Sequence, residues 1–392
     1  MSKVLYLIDR SRVEAREDCP RMRFLGYDFD GDGLEAEAQA LPLLSGIAIH
    51  AAHARLLAGQ PLEGVVESVI SDYVSEIKAR GLYGLDVTND VIKEQSALLE
   101  GMLRVWASQR LPLILSEYEV VSIEQTFDWE LVPGQLAERL RMDAILRRRD
   151  DGILHILDYK SMKYPSEMFS QQKEHDLQTC LYIQALKERT GEYVGGMLYE
   201  GLVKGRFAKD TARNSPWFGQ KIQQSPYTLA YKLDGPTPEE AVYQSDYTSK
   251  KGYRKVKTFE EMPMKRWVED WLIPEGKTNE LFVAIPAIEP PPNELEEVKA
   301  QVIYEELKYH DDLEMYRQLE ADAKKGDPIA AGMAEQVLRR MAPKRRGRCF
   351  KYGQDNGCVF RDICFNQGAR PLEEGGYRKR KPHHDTDLEM VA

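Results

Sequence analysis

Residues 140–163 read LRMDAILRRRDDGILHILDYKSMK, and this stretch decides the fold. Leu140, Met142, Ala144 and Leu146 alternate with Arg141, Asp143, Ile145 and Arg147. After Asp150-Asp151-Gly152 the alternation resumes, with Leu154, Ile156, Asp158 and Lys160 set against His155, Leu157 and Tyr159. A period of two residues on both sides of an Asp-Gly turn marks a hairpin. The turn fixes which residues face each other, because a slip of one residue moves every side chain to the opposite face. With Asp150-Asp151 as the two-residue loop, position 143 lies opposite 158; with Asp151-Gly152, it lies opposite 160. Either register brings Asp143 beside Asp158 or Lys160, at roughly 5 Å between Cβ atoms. Asp158 and Lys160 share one face of their strand.

Two carboxylates and a lysine on one patch of sheet need a physical reason, since Asp is depleted in strands and unpaired buried charge is costly. A cross-strand ion pair is one reading. A divalent cation is the other: hard oxygen ligands suit Mg²⁺ or Mn²⁺, and the lysine is left to steady an anion.

Asp143, followed by the apolar run Ile153 to Leu157 and then Asp158-Tyr159-Lys160-Ser161, resembles the metal site of the PD-(D/E)XK nucleases, in particular their RecB-like branch. Met142 stands where the family name has proline. The resemblance implies a restriction-endonuclease-like α/β core: helix, three-stranded antiparallel meander, helix, parallel strand. It also assigns roles. Asp143, Asp158 and the carbonyl of Tyr159 hold Mg²⁺ or Mn²⁺, and Lys160 orients the attacking water or stabilises charge on phosphorus.

Outside this core, Gly46-Ile-Ala-Ile-His50 lies on an expected helix with Ile47, His50, Ala51, Ala54 and Leu57 on one stripe. His50 reads either as a core histidine or, by resemblance to the G-x-x-x-H helix of RecB-like nucleases, as a nitrogen ligand to the metal; His53 is the fallback. Residues 61–110 read as helices without a chemical motif, and 117–131 as a strand whose Glu124 (or Glu119) resembles the family's upstream glutamate. Ser170 to Arg189 read as one helix, stopped at Thr190-Gly191. Gln178 and Tyr182 lie four apart on it and share a face. They match the Q-x-x-x-Y that contacts DNA in the resembled family, while Cys180 reads as core. Residues 193–204 are the next strand, which a strand–helix–strand crossover makes parallel to the strand of Asp158.

Between 205 and 290, Trp217, Tyr227, Tyr231, Tyr243, Tyr247 and Tyr253 are interspersed with Lys250, Lys251, Arg254, Lys255 and Lys257. This pattern suits either a β-rich insertion or a surface for single-stranded DNA. Pro286 to Pro292 reads as a stiff linker into an acidic helix from Asn293 to about Lys325, with Leu295, Val298, Val302, Tyr309, Leu313 and Tyr316 as its stripe. Cys349, Cys358 and Cys364 then lie among lysines and arginines, a poor place to bury unrelated thiols. A four-thiolate site takes Cys19 as its fourth member, and zinc and a 4Fe–4S cluster both accept four cysteinates. A distant N-terminal cysteine joined to a C-terminal trio resembles the iron–sulfur staple of RecB-like nucleases, and zinc is the alternative.

The segments expected are 1–204 for the N-terminal part and nuclease core, 205–292 for an insertion and linker, 293–366 for a helical and cysteine region, and 367–392 for a disordered tail. The net charge of −10 over 392 residues argues against a protein that coats nucleic acid non-specifically. No apolar run approaches the roughly 20 residues of a membrane helix. MSKVLYLIDR is too short and charged for a signal peptide, so a cytoplasmic, membrane-free protein is expected. The function implied is a metal-dependent DNA nuclease of recombination, repair or processing: an exonuclease that prefers single strands or DNA ends. There is no Walker A loop, so any helicase or other recombination protein is a partner. The rival from another class is a non-cleaving iron–sulfur or zinc DNA-binding protein.

Overall fold

The computed structural model describes residues 6–38, 41–82, 86–162, 168–204, 207–210, 221–224, 242–243, 254–255, 265, 268–269, 273, 281–349, 358–365 and 376–380. In chain order, β1 (Tyr6–Asp9), α1 (Arg10–Asp18), α2 (Pro20–Tyr27) and β2 (Leu34–Ala36) come first. Four helices follow: α3 (Leu41–Leu57), α4 (Leu62–Arg80), α5 (Asn89–Gln109) and α6 (Leu111–Glu117). Then come β3 (Tyr118–Val132), β4 (Leu136–Arg148), β5 (Leu154–Met162), α7 (Met168–Glu174), α8 (Leu177–Thr190) and β6 (Val194–Val203). The short strands β7 (Phe207–Asp210) and β8 (Lys221–Gln224) pair, as do β9 (Val242–Tyr243) and β10 (Arg254–Lys255). The chain continues through β11 (Phe282–Ile288), α9 (Pro292–Lys324), α10 (Pro328–Met341), α11 (Arg361–Phe365) and β12 (Tyr377–Lys379). No helix among the described residues is long and apolar enough to cross a membrane.

The chain divides into two compact units. A terminal unit comprises residues 1–38, 126–140 and 292–392, and a hairpin unit comprises 39–125 and 141–291. This grouping departs from the linear segments expected, because residues 1–38 cluster with 292–392 rather than with the nuclease core.

In the hairpin unit β4 runs antiparallel to β5, β5 parallel to β6 and β6 antiparallel to β11; β3 pairs with β4. The result is a mixed sheet with helices against it, and the crossover through α8 delivers the expected parallel pair. Residues 142–146 and 154–159 are buried without alternation. Helix α3 packs on β5 and α8 on β6, and strands covered on both faces read as continuous apolar runs. Ile49, Ala52, Met102, Leu103, Trp106, Leu146, Leu157 and Tyr159 belong to this core.

Helix α3 is turned relative to the expected stripe. Leu44, Ser45, Ala48, Ile49, Ala52, His53, Leu56 and Leu57 are buried on it, whereas Ile47 is 58% exposed. His50 therefore sits at the margin of the core, and His53 is the enclosed histidine.

The terminal unit joins segments distant in sequence. Strand β1 lies parallel to the opening residues of β4, from Tyr6–Leu136 to Asp9–Arg139. The stripe of α9 buries Leu295, Val298, Val302, Tyr309 and Leu313, with Tyr309 and Leu313 packing among Phe24, Leu25, Leu34, Met341 and Phe360. Glu306 lies on the same stripe, fully buried, 3.5 Å from Arg16 Nε and 3.5 Å from Arg23 Nη2.

Three expectations need correction. Pro286 to Ile288 belong to β11 rather than to a linker: the register shifts between Ile285 and Ile288, and a proline that lacks an N–H is accommodated at such a bulge. The helix expected over 170–189 breaks at His175-Asp176, where the Asp176 carboxylate accepts from Gln178 N at 2.8 Å and starts α8. Within the tail expected to be disordered, Tyr377–Lys379 pair with β2; Arg378 Nε reaches Glu35 at 2.6 Å and the Tyr377 ring stacks on Phe360. Of the aromatic and basic residues singled out between 205 and 290, Tyr243, Arg254 and Lys255 fall on β9 and β10; the others lie outside the described residues.

Candidate active site

The hairpin takes the first of the two registers. Ala144 pairs with Leu157, Ile145 with Ile156, Leu146 with His155 and Arg147 with Leu154. One step further, position 143 faces 158. The loop has four residues, not two: Arg148 N donates to Ile153 O at 2.9 Å. Gly152 closes it at φ +74°, and Asp151 accepts from Ile153 N at 3.0 Å while pairing with Arg148. A left-handed residue at the end of such a loop favours glycine.

Asp143 and Asp158 are thereby brought together, 9% and 3% exposed. Asp143 Oδ2 accepts the N–H of Tyr159 at 2.9 Å, and Oδ1 lies 3.1 Å from His50 Nδ1. Asp158 Oδ1 accepts from Gln178 Nε2 at 2.6 Å, and Oδ2 lies 2.6 Å from Lys160 Nζ. Lys160 Nζ donates to Gln178 Oε1 at 3.1 Å, so the amide bridges the aspartate and the lysine. The cap at Asp176 places Gln178 in the first turn of α8, where it can reach back to β5.

Glu124, on β3, completes the group. Its carboxylate, the His50 imidazole and Asp143 offer ligand atoms that all lie within 4.8 Å of one another. Glu124 has φ +50°, which breaks the strand's alternation to aim its side chain. Its Oε2 is 3.2 Å from Arg141 Nε. Glu119, the other candidate, is exposed.

The electrostatics follow from this geometry. Burial pushes the Asp143 carboxyl up, but the His50 hydrogen bond and charge, the Tyr159 N–H and Lys160 outweigh it and hold it below the ordinary range. Burial alone would lower His50; its hydrogen bond to Asp143 and the charges of Asp143 and Asp158 raise it instead. Beneath them His53, fully buried, stacks on Trp106 with ring centroids 3.9 Å apart and meets Tyr159 edge-on at 4.3 Å. Burial and the neighbouring His50 push it well below the usual histidine range, which marks it as a core ring.

The structure thus assembles His50, Glu124, Asp143, Asp158, Lys160 and Gln178. The Tyr159 side chain is core and its backbone touches the site. Tyr182, one turn after Gln178, is 6% exposed and packs as a buried residue of α8; Cys180 is buried too. Sequence reasoning alone misses Arg141. Its signal is there: two residues before Asp143, it shares that strand's face.

The terminal unit collects the other predicted group. Cys19 lies between α1 and α2, Cys349 follows a short 3-10 turn, and Cys364 is on α11. Cys358 N donates to Cys349 O at 3.0 Å, and Arg345 N lies 3.5 Å from Cys19 Sγ. No cysteine is in a disulfide. Burial and the charges of Cys358 and Cys19 push the Cys364 thiol up to about 11, against Lys344 and Arg21. Burial raises Cys358 as well, with Cys349 and Cys19 adding to it. Cys358 thus lies near Cys349 and Cys19, and Cys364 near Cys358 and Cys19.

The chain matches the family model of the PD-(D/E)XK nuclease superfamily over residues 10–365. No curated protein matches it. The match covers most of the chain and includes the hairpin, the histidine helix and all four clustered cysteines. On that extent of agreement, with two aspartates and a lysine held together on adjoining strands, the chain belongs to the PD-(D/E)XK nuclease superfamily.

Proposed function

We propose that the protein is a metal-dependent deoxyribonuclease whose active site is His50, Glu124, Asp143, Asp158 and Lys160. The convergence of His50, Glu124 and Asp143 within 4.8 Å carries this reading. Carboxylates with one imidazole and a nearby backbone carbonyl form a hard donor set that fits Mg²⁺ or Mn²⁺. His50, Glu124, Asp143, Asp158 and the carbonyl of Tyr159 would hold the ion. Bound there, it would supply Lewis acidity toward a phosphate oxygen and make a water more acidic.

The chain's own groups do the rest. Gln178 fixes Asp158 and Lys160 relative to each other through both ends of its amide. The Lys160 ammonium, anchored at 2.6 Å on Asp158, donates to the attacking water or to the charge that builds up on phosphorus. Tyr182 supports α8 and thus Gln178. We read β3 to β5, α8 and β6 as the meander, helix and parallel strand of the superfamily core.

We further infer that Cys19, Cys349, Cys358 and Cys364 hold a 4Fe–4S cluster that staples the terminal unit. Arg21, Lys344 and Arg361 lie close enough to offset thiolate charge, and the Arg345 N–H points at Cys19 Sγ. A single zinc, at about 2.3 Å from each sulfur, would draw the thiols to about 3.8 Å. An iron–sulfur cluster takes the same four cysteinates, and the two are told apart by colour and metal content. Anaerobically purified protein that is brown and absorbs near about 400 nm supports iron–sulfur. Colourless protein with one bound zinc overturns it.

The substrate we assign is DNA, attacked from ends and preferred single-stranded, in recombination, repair or processing in the cytoplasm, with a helicase as partner. The test is cleavage of end-labelled linear and circular, single- and double-stranded DNA with Mn²⁺ or Mg²⁺, wild type beside Asp158→Ala. Metal-dependent cutting lost in the variant supports the nuclease. Equal cutting by Asp158→Ala overturns the assignment, and cutting of circles overturns exonuclease.

A further inference from the structure

Arg141 stands at the site without a role in the scheme above. It precedes Asp143 by two residues on β4, so both project from one strand face. Its side chain is 55% exposed, and its Nε lies 3.2 Å from Glu124 Oε2. Glu124 is itself one of the three residues whose ligand atoms converge within 4.8 Å. One carboxylate is thus shared between a guanidinium and the place where a cation would be held.

We propose that Arg141 is a substrate-binding residue, exchanging the Glu124 carboxylate for a phosphate of the nucleic-acid strand when the divalent ion enters. The inference rests on the nuclease reading and adds to it a group that touches substrate. Two cations compete for Glu124. A divalent ion at the trio draws the carboxylate toward itself and repels the guanidinium beside it. Charge drives the exchange in the same direction. With His50 neutral, as a metal ligand must be, Glu124, Asp143 and Asp158 outweigh Lys160 and Arg141. With the ion bound these side chains carry one net negative charge, and the divalent ion turns the loaded site positive and attractive to a phosphodiester.

A guanidinium is suited to the second half of the exchange. Its planar fork of five donors matches two oxygens of a phosphate as well as it matches a carboxylate. The backbone at Glu124 agrees with a carboxylate held for function. Among the described residues, Asp30 and Glu124 are the non-glycine positions with positive φ, and such strain concentrates at ligand sites.

The exchange makes a prediction opposite in sign to that of a merely structural Arg141. If the guanidinium competes with the ion, Arg141→Gln binds Mn²⁺ several-fold more tightly. If it only props Glu124 in place, Arg141→Gln binds Mn²⁺ more weakly. The first measurement is therefore Mn²⁺ titration of DNA-free full-length protein, by calorimetry or by loss of the free-ion EPR signal. The second is affinity for a fluorescein-labelled single-stranded oligonucleotide with Ca²⁺ in place of Mn²⁺. The expected result is tighter Mn²⁺ together with DNA binding weakened about fivefold to tenfold, and Arg141→Lys between wild type and Arg141→Gln in both.

Weaker or unchanged Mn²⁺ binding by Arg141→Gln, or unchanged DNA affinity, overturns the proposal. The side chain is exposed, so the fold is expected to survive; if Arg141→Gln melts early, Arg141→Lys carries the same two comparisons. Wild type that binds neither Mn²⁺ nor DNA sinks the nuclease reading and this one together. Wild type that binds both and cuts, beside an Arg141→Gln that matches it in both affinities, overturns this proposal and leaves the nuclease reading standing.

Discussion

In the hairpin unit, each buried aspartate of the site has close partners: Asp143 accepts from the Tyr159 N–H at 2.9 Å and lies 3.1 Å from His50, and Asp158 accepts from Gln178 through Oδ1 and is ion-paired with Lys160 through Oδ2, at 2.6 Å each. In the terminal unit, Glu306 is equally buried but lies 3.5 Å from its nearest guanidinium groups, and neither oxygen of Glu138 has a hydrogen-bond partner among the described residues. The first arrangement aims charge: the carboxylates are fixed by adjoining strands, where the proposed cation would be held. The second arrangement ties distant pieces of chain together, Glu306 from α9 to Arg16 and Arg23 near the N-terminus, and Tyr309 to Asp28 at 2.8 Å. Mutations in one unit should therefore be read in activity, and in the other in stability.

The largest effect is expected at Asp158. Replacing it by Asn keeps the size, removes the charge and leaves Lys160 without its anchor. Cleavage should fall on the order of 10³-fold, while the melting of the terminal unit, followed by hydrogen exchange, stays where it was. A variant that loosened the terminal unit as much as it slowed cutting would break the comparison. Next comes Arg23, fully buried beside Asp28, Tyr6 and Glu306. Arg23→Ala leaves Glu306 and Asp28 as inadequately compensated buried charge, and truncating such a pair costs about 3–5 kcal/mol. Urea denaturation should report that loss in the terminal unit, and Mn²⁺ affinity should not move. Third, Glu124→Gln should slow cleavage about 10²-fold. Glu119→Gln, on the exposed position that sequence alone leaves in contention, should change it less than about twofold. Equal effects of the two would undo the assignment of Glu124.

Much of the hairpin unit is legible in the sequence because its information is local. Period-two alternation, the Asp-Asp-Gly turn and the Asp158–Lys160 spacing lie within 24 residues, and the turn narrows the register to two choices. Helix α8 is legible for the same reason, although the Asp176 cap that splits it from α7 hides within a continuous helical pattern. His50 emerges by resemblance, on a stripe turned the wrong way: Ile47, expected in the core, is exposed. The terminal unit is less legible because its partners are far apart. Arg21 Nε donates to the Ala342 carbonyl at 2.8 Å and Arg378 reaches Glu35 at 2.6 Å, contacts that no window of sequence contains. Nothing in the sequence marks Glu306 as buried, because an acidic residue on an amphipathic helix ordinarily faces solvent; only Arg16 and Arg23 placed beside it make its burial possible. The four cysteines are the exception, since thiols in basic, polar sequence are conspicuous wherever they fall.

Glu138 gives the finest test of the contrast. Burial, with Asp9 and Glu306 adding their charge and Arg10 opposing, raises its carboxyl to about 8. An unfolded glutamate titrates near 4.3. Between these values the folded protein holds a proton that the unfolded chain has released, so folding is favoured at the acid end and weakened as pH rises. The loss is at most about 1.4 kcal/mol per pH unit across that window, and water entering around the ionised carboxylate will reduce it. Glu138→Gln removes the titration while keeping the shape. Other groups titrate alike in both proteins, so the stability of wild type relative to Glu138→Gln should fall steadily from about pH 5 to 8, measured by urea denaturation with a probe in the terminal unit. A wild type that holds or gains stability relative to Glu138→Gln through that window would mean that Glu138 is ionised in the fold, paired with Arg10 much as Asp158 is with Lys160, and the contrast between the two units would lose its sharpest member.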